Sequence, residues 1–188
     1  MVDEQGASTG DHLAAKADTI AHATKRAISE RLEQDPAFYE KFSRLIQLAI
    51  DEYRARRLTE LEYLQKVTSI RNAVVSREGD DLPSELAGDA DAAAVYGLLL
   101  PFLASYLSDA GQAQTIAANA ANAVWDVFRR NRKVGYWDDL DAQRRTMNEI
   151  DDYLYDELRG ARGIALTTDE MDLIIEKTMQ LARHRLAG

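Results

Sequence analysis

Residues 35–67 read DPAFYEKFSRLIQLAIDEYRARRLTELEYLQKV, and this stretch decides the fold class. Asp35 can accept hydrogen bonds from the free N–H groups of a helix start, and Pro36 suits the first helical position because it has no N–H to leave unpaired. Phe38, Phe42, Leu45, Ile46, Ala49, Ile50 and Tyr53 then recur at the 3, 4, 7 spacing of one helical face. That helix ends near Arg56 and Arg57, cations suited to the negative pole of a helix. Thr59 with Glu62 forms a capping box and opens a further helix, with Leu61, Leu64, Val67, Ile70 and Val74 predicted to face inward. So short a connection predicts an antiparallel helical hairpin.

The same helical signals run outward in both directions. Residues 1–10 are predicted to be a disordered N-terminus, with Asp11 capping a helix that reaches Glu33. Residues 11–188 are then expected to form one helical domain. Glu78 to Asp91 holds six acids, no base, two glycines and a proline, which predicts a mobile loop. Ala92 to Ser108 is uncharged and predicts a buried helix, kinked or broken at Pro101. A helix from Gln112 to Arg132 includes the small-residue tract IAANAANAV, and KVGYW after it reads as extended.

Asp138 or Asp139 caps a sixth helix running to about Arg159, with Met147, Ile150, Leu154 and Leu158 inward. On that phase Asp151 flanks the core and needs an Arg or backbone N–H partner, whereas Asp152 and Asp156 point into water. Gly160 and Gly163 mark a turn, and Thr167 with Glu170 caps a last helix carrying Met171, Ile174, Ile175, Thr178 and Ala182 on one face. The fold class is all-α, an irregular bundle of about seven helices.

Composition bounds the function. The 188 residues are 46% hydrophobic, enough to build a core without staples. They include no cysteine, which excludes a disulfide scaffold, a thiolate zinc site and a cysteine nucleophile. With 23 basic against 32 acidic residues the net charge is −9, which excludes a globally basic nucleic-acid binder but not a local patch. The acidic, polar opening MVDEQGASTGD is not a secretory signal and no span suits a membrane, so a cytoplasmic protein is expected.

Chemistry-bearing motifs are few. No Gly-Lys pair supplies a phosphate-binding loop, and no Glu-x-Lys supplies the carboxylate and lysine of many metal-dependent nucleases. His12, His22 and His184 are too scattered for a local metal site, so no catalytic, cofactor or metal residue is predicted. Arg129, Arg130, Arg132 and Lys133, with Trp125, Tyr136 and Trp137 nearby, have the ingredients of a DNA-contacting patch. The competing reading is a helix end whose cations answer the dipole and whose aromatics are core. On the last helix, Leu173 lies opposite the apolar stripe with Lys177, Gln180 and His184, so Leu173, Lys177 and His184 are candidate partner contacts.

Three blocks carry a resemblance: Ala27 to Val67, Asn131 to Leu158, and Gly163 to Arg185. The ordered pairing of DPAFYEKFS with W-x5-Q and DDYLYD resembles the C-terminal helical domain of the R subunit of type I restriction endonucleases. The resemblance implies a non-catalytic docking module. In that family cleavage and ATP-driven translocation reside in upstream domains, and the C-terminal helices help attach the R subunit to the methyltransferase core. The implied partners are the methyltransferase and specificity subunits, with DNA met directly or through the complex. The parent assembly would be an ATP-dependent, site-specific deoxyribonuclease, and none of its catalytic residues has a counterpart here.

Overall fold

The computed structural model describes residues 4–77 and 82–186, the side chains of 4–9 excepted. Among the described residues there are seven α-helices and no strand: α1 (Glu4–Arg31), α2 (Pro36–Arg54), α3 (Glu60–Ser76), α4 (Ala90–Tyr106), α5 (Ala110–Asn131), α6 (Leu140–Tyr153) and α7 (Thr168–Leu186). The chain is all-α, as expected. The single domain expected over 11–188 instead divides into two compact units, one built from α1–α3 and the other from α4–α7 with the short segment 33–36. Each has its own hydrophobic core: the apolar faces of α1, α2 and α3 close on one another, and the largely apolar α4 packs into a second cluster with α5, α6 and α7.

In the first unit the backbone is helical from Glu4, so the disorder expected for 1–10 is not seen over 4–10, and Asp11 lies inside α1 rather than at its start. The predicted hairpin is present. Near the α2–α3 turn, Tyr53 stacks on Tyr63 with ring centroids 4.4 Å apart and Lys66 pairs with Glu52 at 2.5 Å. At the other end the Arg77 guanidinium lies 4.4 Å from the Phe38 ring centroid. α2 ends in a Schellman motif, the Arg57 N–H donating to the Glu52 carbonyl with Arg56 at φ 56°. The capping box forms as predicted, Thr59 accepting from the Glu62 N–H and Glu62 from the Thr59 N–H.

Two apolar positions depart from expectation: Leu61 and Leu45 are exposed. Tyr63 takes the place of Leu61 in the core, its ring fully buried while its hydroxyl reaches Asp18 on α1 at 3.0 Å. A tyrosine there fills a core position and keeps its polar end paired. Ala17 and Ala21 of α1 are buried without residual exposure, and small side chains allow α1 to approach α3 closely.

In the second unit α4 packs most closely on α5 through the alanine-rich tract, where Ala117, Ala118, Ala120, Ala121 and Val124 are inaccessible to solvent. α4 is not broken at Pro101; the proline is exposed, so water can serve the carbonyl that loses its N–H partner. Asp89 and Asp109 cap α4 and α5. Of the predicted mobile loop, 78–81 lies outside the described residues. The remainder is anchored: Ser84–Leu86 form a 3-10 turn, Leu86 is buried, and Asn122 donates to the Glu85 carbonyl at 3.1 Å.

KVGYW is not extended. Gly135 takes φ 72°, and Tyr136–Asp138 make a 3-10 turn that buries Tyr136. Asp139 is the cap of α6, accepting from the Ala142 N–H. Beyond Tyr153 the helix widens into a π-helical segment, Leu154–Ala161, closed by Arg162 N–H donating to the Glu157 carbonyl at 3.1 Å. Leu154 and Leu158 stay buried through the change of winding.

Candidate interaction surface

α6 and α7 lie side by side in the second unit, and between them runs a shallow groove. Met147 comes from α6; Ile175 and Met179 come from α7. The borders are Gln143 on one side and Asp172, Glu176 and Gln180 on the other. Methionine side chains are unbranched and adapt to varied partners. Met147 and Met179 are only half-buried, so the groove offers apolar surface to solvent.

Leu173 is 39% exposed on the outer side of α7, as the helix phase predicts, and Lys177 and Gln180 are exposed on the same side. Glu176, which accepts from Gln180 at 3.1 Å, stands between Leu173 and the groove. His184 is exposed too, and its Nδ1 lies 3.2 Å from the Glu33 carboxylate. Next to it, Arg185 donates to Asp91 and to the Gln34 carbonyl, each at 2.6 Å, and fixes the C-terminal turn of α7. The other end of α7 is held by a second capping box. Glu170 accepts from the Thr167 N–H and from the Tyr106 hydroxyl at 2.5 Å, and these bonds, the tyrosine's first, hold its carboxyl below the usual range. α7 is therefore tied down at both ends, while the outward face of its middle turns, Leu173, Glu176, Lys177 and Gln180, stays exposed.

The basic cluster is largely neutralised by its own chain. Arg129 pairs with Asp89 and Asp126, Arg130 with Glu149, and Lys133 with Asp139, leaving Arg132 as the member with no carboxylate partner among the described residues. Lys133 and the Ala142 N–H together hold the Asp139 carboxyl down at about 2. Trp125 and Tyr136 are buried and Trp137 is half-buried beneath Arg183, so these aromatics are committed to packing rather than to stacking on bases.

The acid at the core edge of α6 is Glu149, not Asp151. Glu149 accepts from Asn131 at 3.0 Å and Arg130 at 3.1 Å, which hold its carboxyl below the usual range, whereas Asp151 is exposed with no ion pair among the described residues. The predicted stripe omitted Ala142 and Thr146, both fully buried; including them rotates its centre toward Glu149 and away from Asp151. Asp152 and Asp156 are exposed, as the helix phase predicts, and no group of three His, Cys, Asp or Glu residues among the described residues could hold a metal ion. His12 and His22 are exposed on α1.

Sequence reasoning missed the groove. Met179 lies outside the predicted stripe, and Gln143 carries no apolar signal; the α6–α7 pairing that brings them together is a tertiary fact. Among the described residues no helix is long and apolar enough to cross a membrane. No protein-family model, curated protein or solved structure matches this chain.

Proposed function

We propose that this chain is a non-catalytic docking module of the type I restriction R-subunit kind, working in the cytoplasm. It would join the motor and nuclease subunit to the methyltransferase and specificity subunits. The observation that carries the reading is the exposed Leu173 beside the Met147–Ile175–Met179 groove. Both helices of the groove lie in blocks that resemble that family, Asn131 to Leu158 and Gly163 to Arg185. A helix fixed at both termini presents its middle turns without paying ordering entropy on binding. The self-paired basic cluster also favours a protein partner over direct DNA contact.

Co-expression with the methyltransferase and specificity subunits of a type I system from the same genome tests this. The chain is expected to co-purify with them, and Leu173→Asp to abolish co-purification while leaving the helical circular dichroism intact. Unchanged co-purification would remove this face from the interface.

A further inference from the structure

The α6–α7 groove has an apolar floor and a charged border of one sign. Met147, Ile175 and Met179 make the floor, Asp172 and Glu176 stand along the α7 side, and no basic residue lines it. Both carboxylates are exposed and neither has an ion-pair partner among the described residues; Glu176 accepts from the neutral amide of Gln180. A helix favours acids in its first turn, which accounts for Asp169 and Glu170 but not for Asp172 and Glu176, which lie beyond it.

The acids gather at one end of the groove. α6 and α7 run antiparallel: residues 162–167 join the π-helical end of α6 to the start of α7, and at the other end Arg183 of α7 lies 5.9 Å from the ring centroid of Trp137, just before α6. Asp151, exposed and without an ion pair, lies one turn beyond Met147 and about 40° round α6 from it, which puts it toward the same end as Asp172. At the opposite end Arg144 pairs with Asp141 at 3.5 Å and Arg183 is held over Trp137, so the cations there are engaged by their own neighbours.

We propose that the groove takes an amphipathic helix whose apolar stripe is flanked by Lys or Arg, with those cations set against Asp172 and Glu176. The assignment rests on the docking reading for the identity of the partner and on the groove alone for its chemistry. Unpaired carboxylates beside an apolar floor are complemented by a basic segment and repel an acidic one. An extended segment would need a sheet edge for its backbone groups, and two helices offer none. A helix brings its backbone already paired, and adaptable methionines suit its apolar stripe. From Asp172 to Gln180 the groove spans about 12 Å, or roughly two turns of the incoming helix. It is too shallow to enclose a small molecule, which is ordinarily buried over most of its surface.

The probe is a fluorescent peptide of about 18 residues, long enough to be helical, with leucines on one face and lysines flanking them. Anisotropy titration at low salt is expected to show saturable binding to the full chain. Asp172→Asn, Glu176→Gln keeps the side-chain shapes and should weaken binding by at least about fivefold. Asp152→Asn, Asp156→Asn removes the same charge elsewhere and should leave binding unchanged. Equal losses in the two double variants would reduce the effect to general attraction by an acidic chain and overturn the proposal. So would equal binding of a peptide with glutamates in place of the lysines, or of one whose leucines are scattered round the helix. Co-purification with the methyltransferase and specificity subunits separates this proposal from the docking reading. If it is lost in Leu173→Asp but untouched in Asp172→Asn, Glu176→Gln, docking stands and the basic helix falls. If the natural chain does not co-purify, docking falls and the peptide titration alone decides the chemistry of the groove.

Discussion

Asn131, the last residue of α5, donates its side-chain amide to Glu149 on α6 at 3.0 Å, and the same carboxylate accepts from Arg130. The pair joins consecutive helices across the Gly135 turn. Because the Glu149 side chain is 41% exposed, solvent screens part of the interaction. Glu149→Ala is expected to cost about 1 kcal/mol, and Asp151→Ala less than about 0.5 kcal/mol. Urea unfolding of the two variants checks the order; a larger loss at Asp151 would contradict the observed phase of α6.

Tyr136 donates its hydroxyl to Thr146 at 2.7 Å inside the core, and Thr146 donates in turn to the Ala142 carbonyl. Thr146→Val keeps the shape and leaves the tyrosine hydroxyl buried without its acceptor, at an expected cost of about 1–3 kcal/mol. Adding Tyr136→Phe should recover part of that loss. Strict additivity in the double-mutant cycle would show that the two hydroxyls are not coupled.

The Asp139 carboxyl is held at about 2, below its ordinary 3.8, first by Lys133 and then by the Ala142 N–H. A depressed carboxyl contributes stability above its ordinary value and loses it as pH falls toward the folded one. The thermal midpoint should therefore fall more steeply between pH 3.8 and about 2 in the natural chain than in Asp139→Asn, which keeps a good N-cap residue but not the charge. Equal slopes would show that the Lys133 pairing is not maintained in solution.

The fold class was legible because large apolar residues carry a strong periodic signal. Phe38, Phe42, Ile46, Ala49 and Ile50 are buried as their spacing requires, and both Thr–Glu capping boxes form. The errors fall where small or amphipathic residues do the packing. Ala142 and Thr146 set the phase of α6 without resembling a core, and Tyr63 displaced Leu61 because its ring and hydroxyl satisfy different neighbours. The π-helical segment has no simple sequence signature, and the division into two units depends on which helix faces close together. At the candidate surface, the exposure of Leu173 followed from helix phase, whereas the pairing of His184 with Glu33 joins residues remote in sequence.

Self-pairing of Arg129, Arg130 and Lys133 gives an expectation for DNA. A protein that neutralises several phosphates shows binding that falls steeply with salt. Replacing Arg129, Arg130, Arg132 and Lys133 together by Ala should leave the retention of short duplex DNA, measured at low salt, unchanged. Loss of a salt-dependent signal in that variant would establish the DNA contact instead.

Docking itself is the central claim, and direct binding to the purified complex of methyltransferase and specificity subunits tests it most closely. Titration calorimetry is predicted to give a saturable isotherm with the natural chain, with affinity lost in Leu173→Asp and kept in Asp152→Ala. No heat of binding, together with no co-migration by sedimentation velocity, would contradict the docking account.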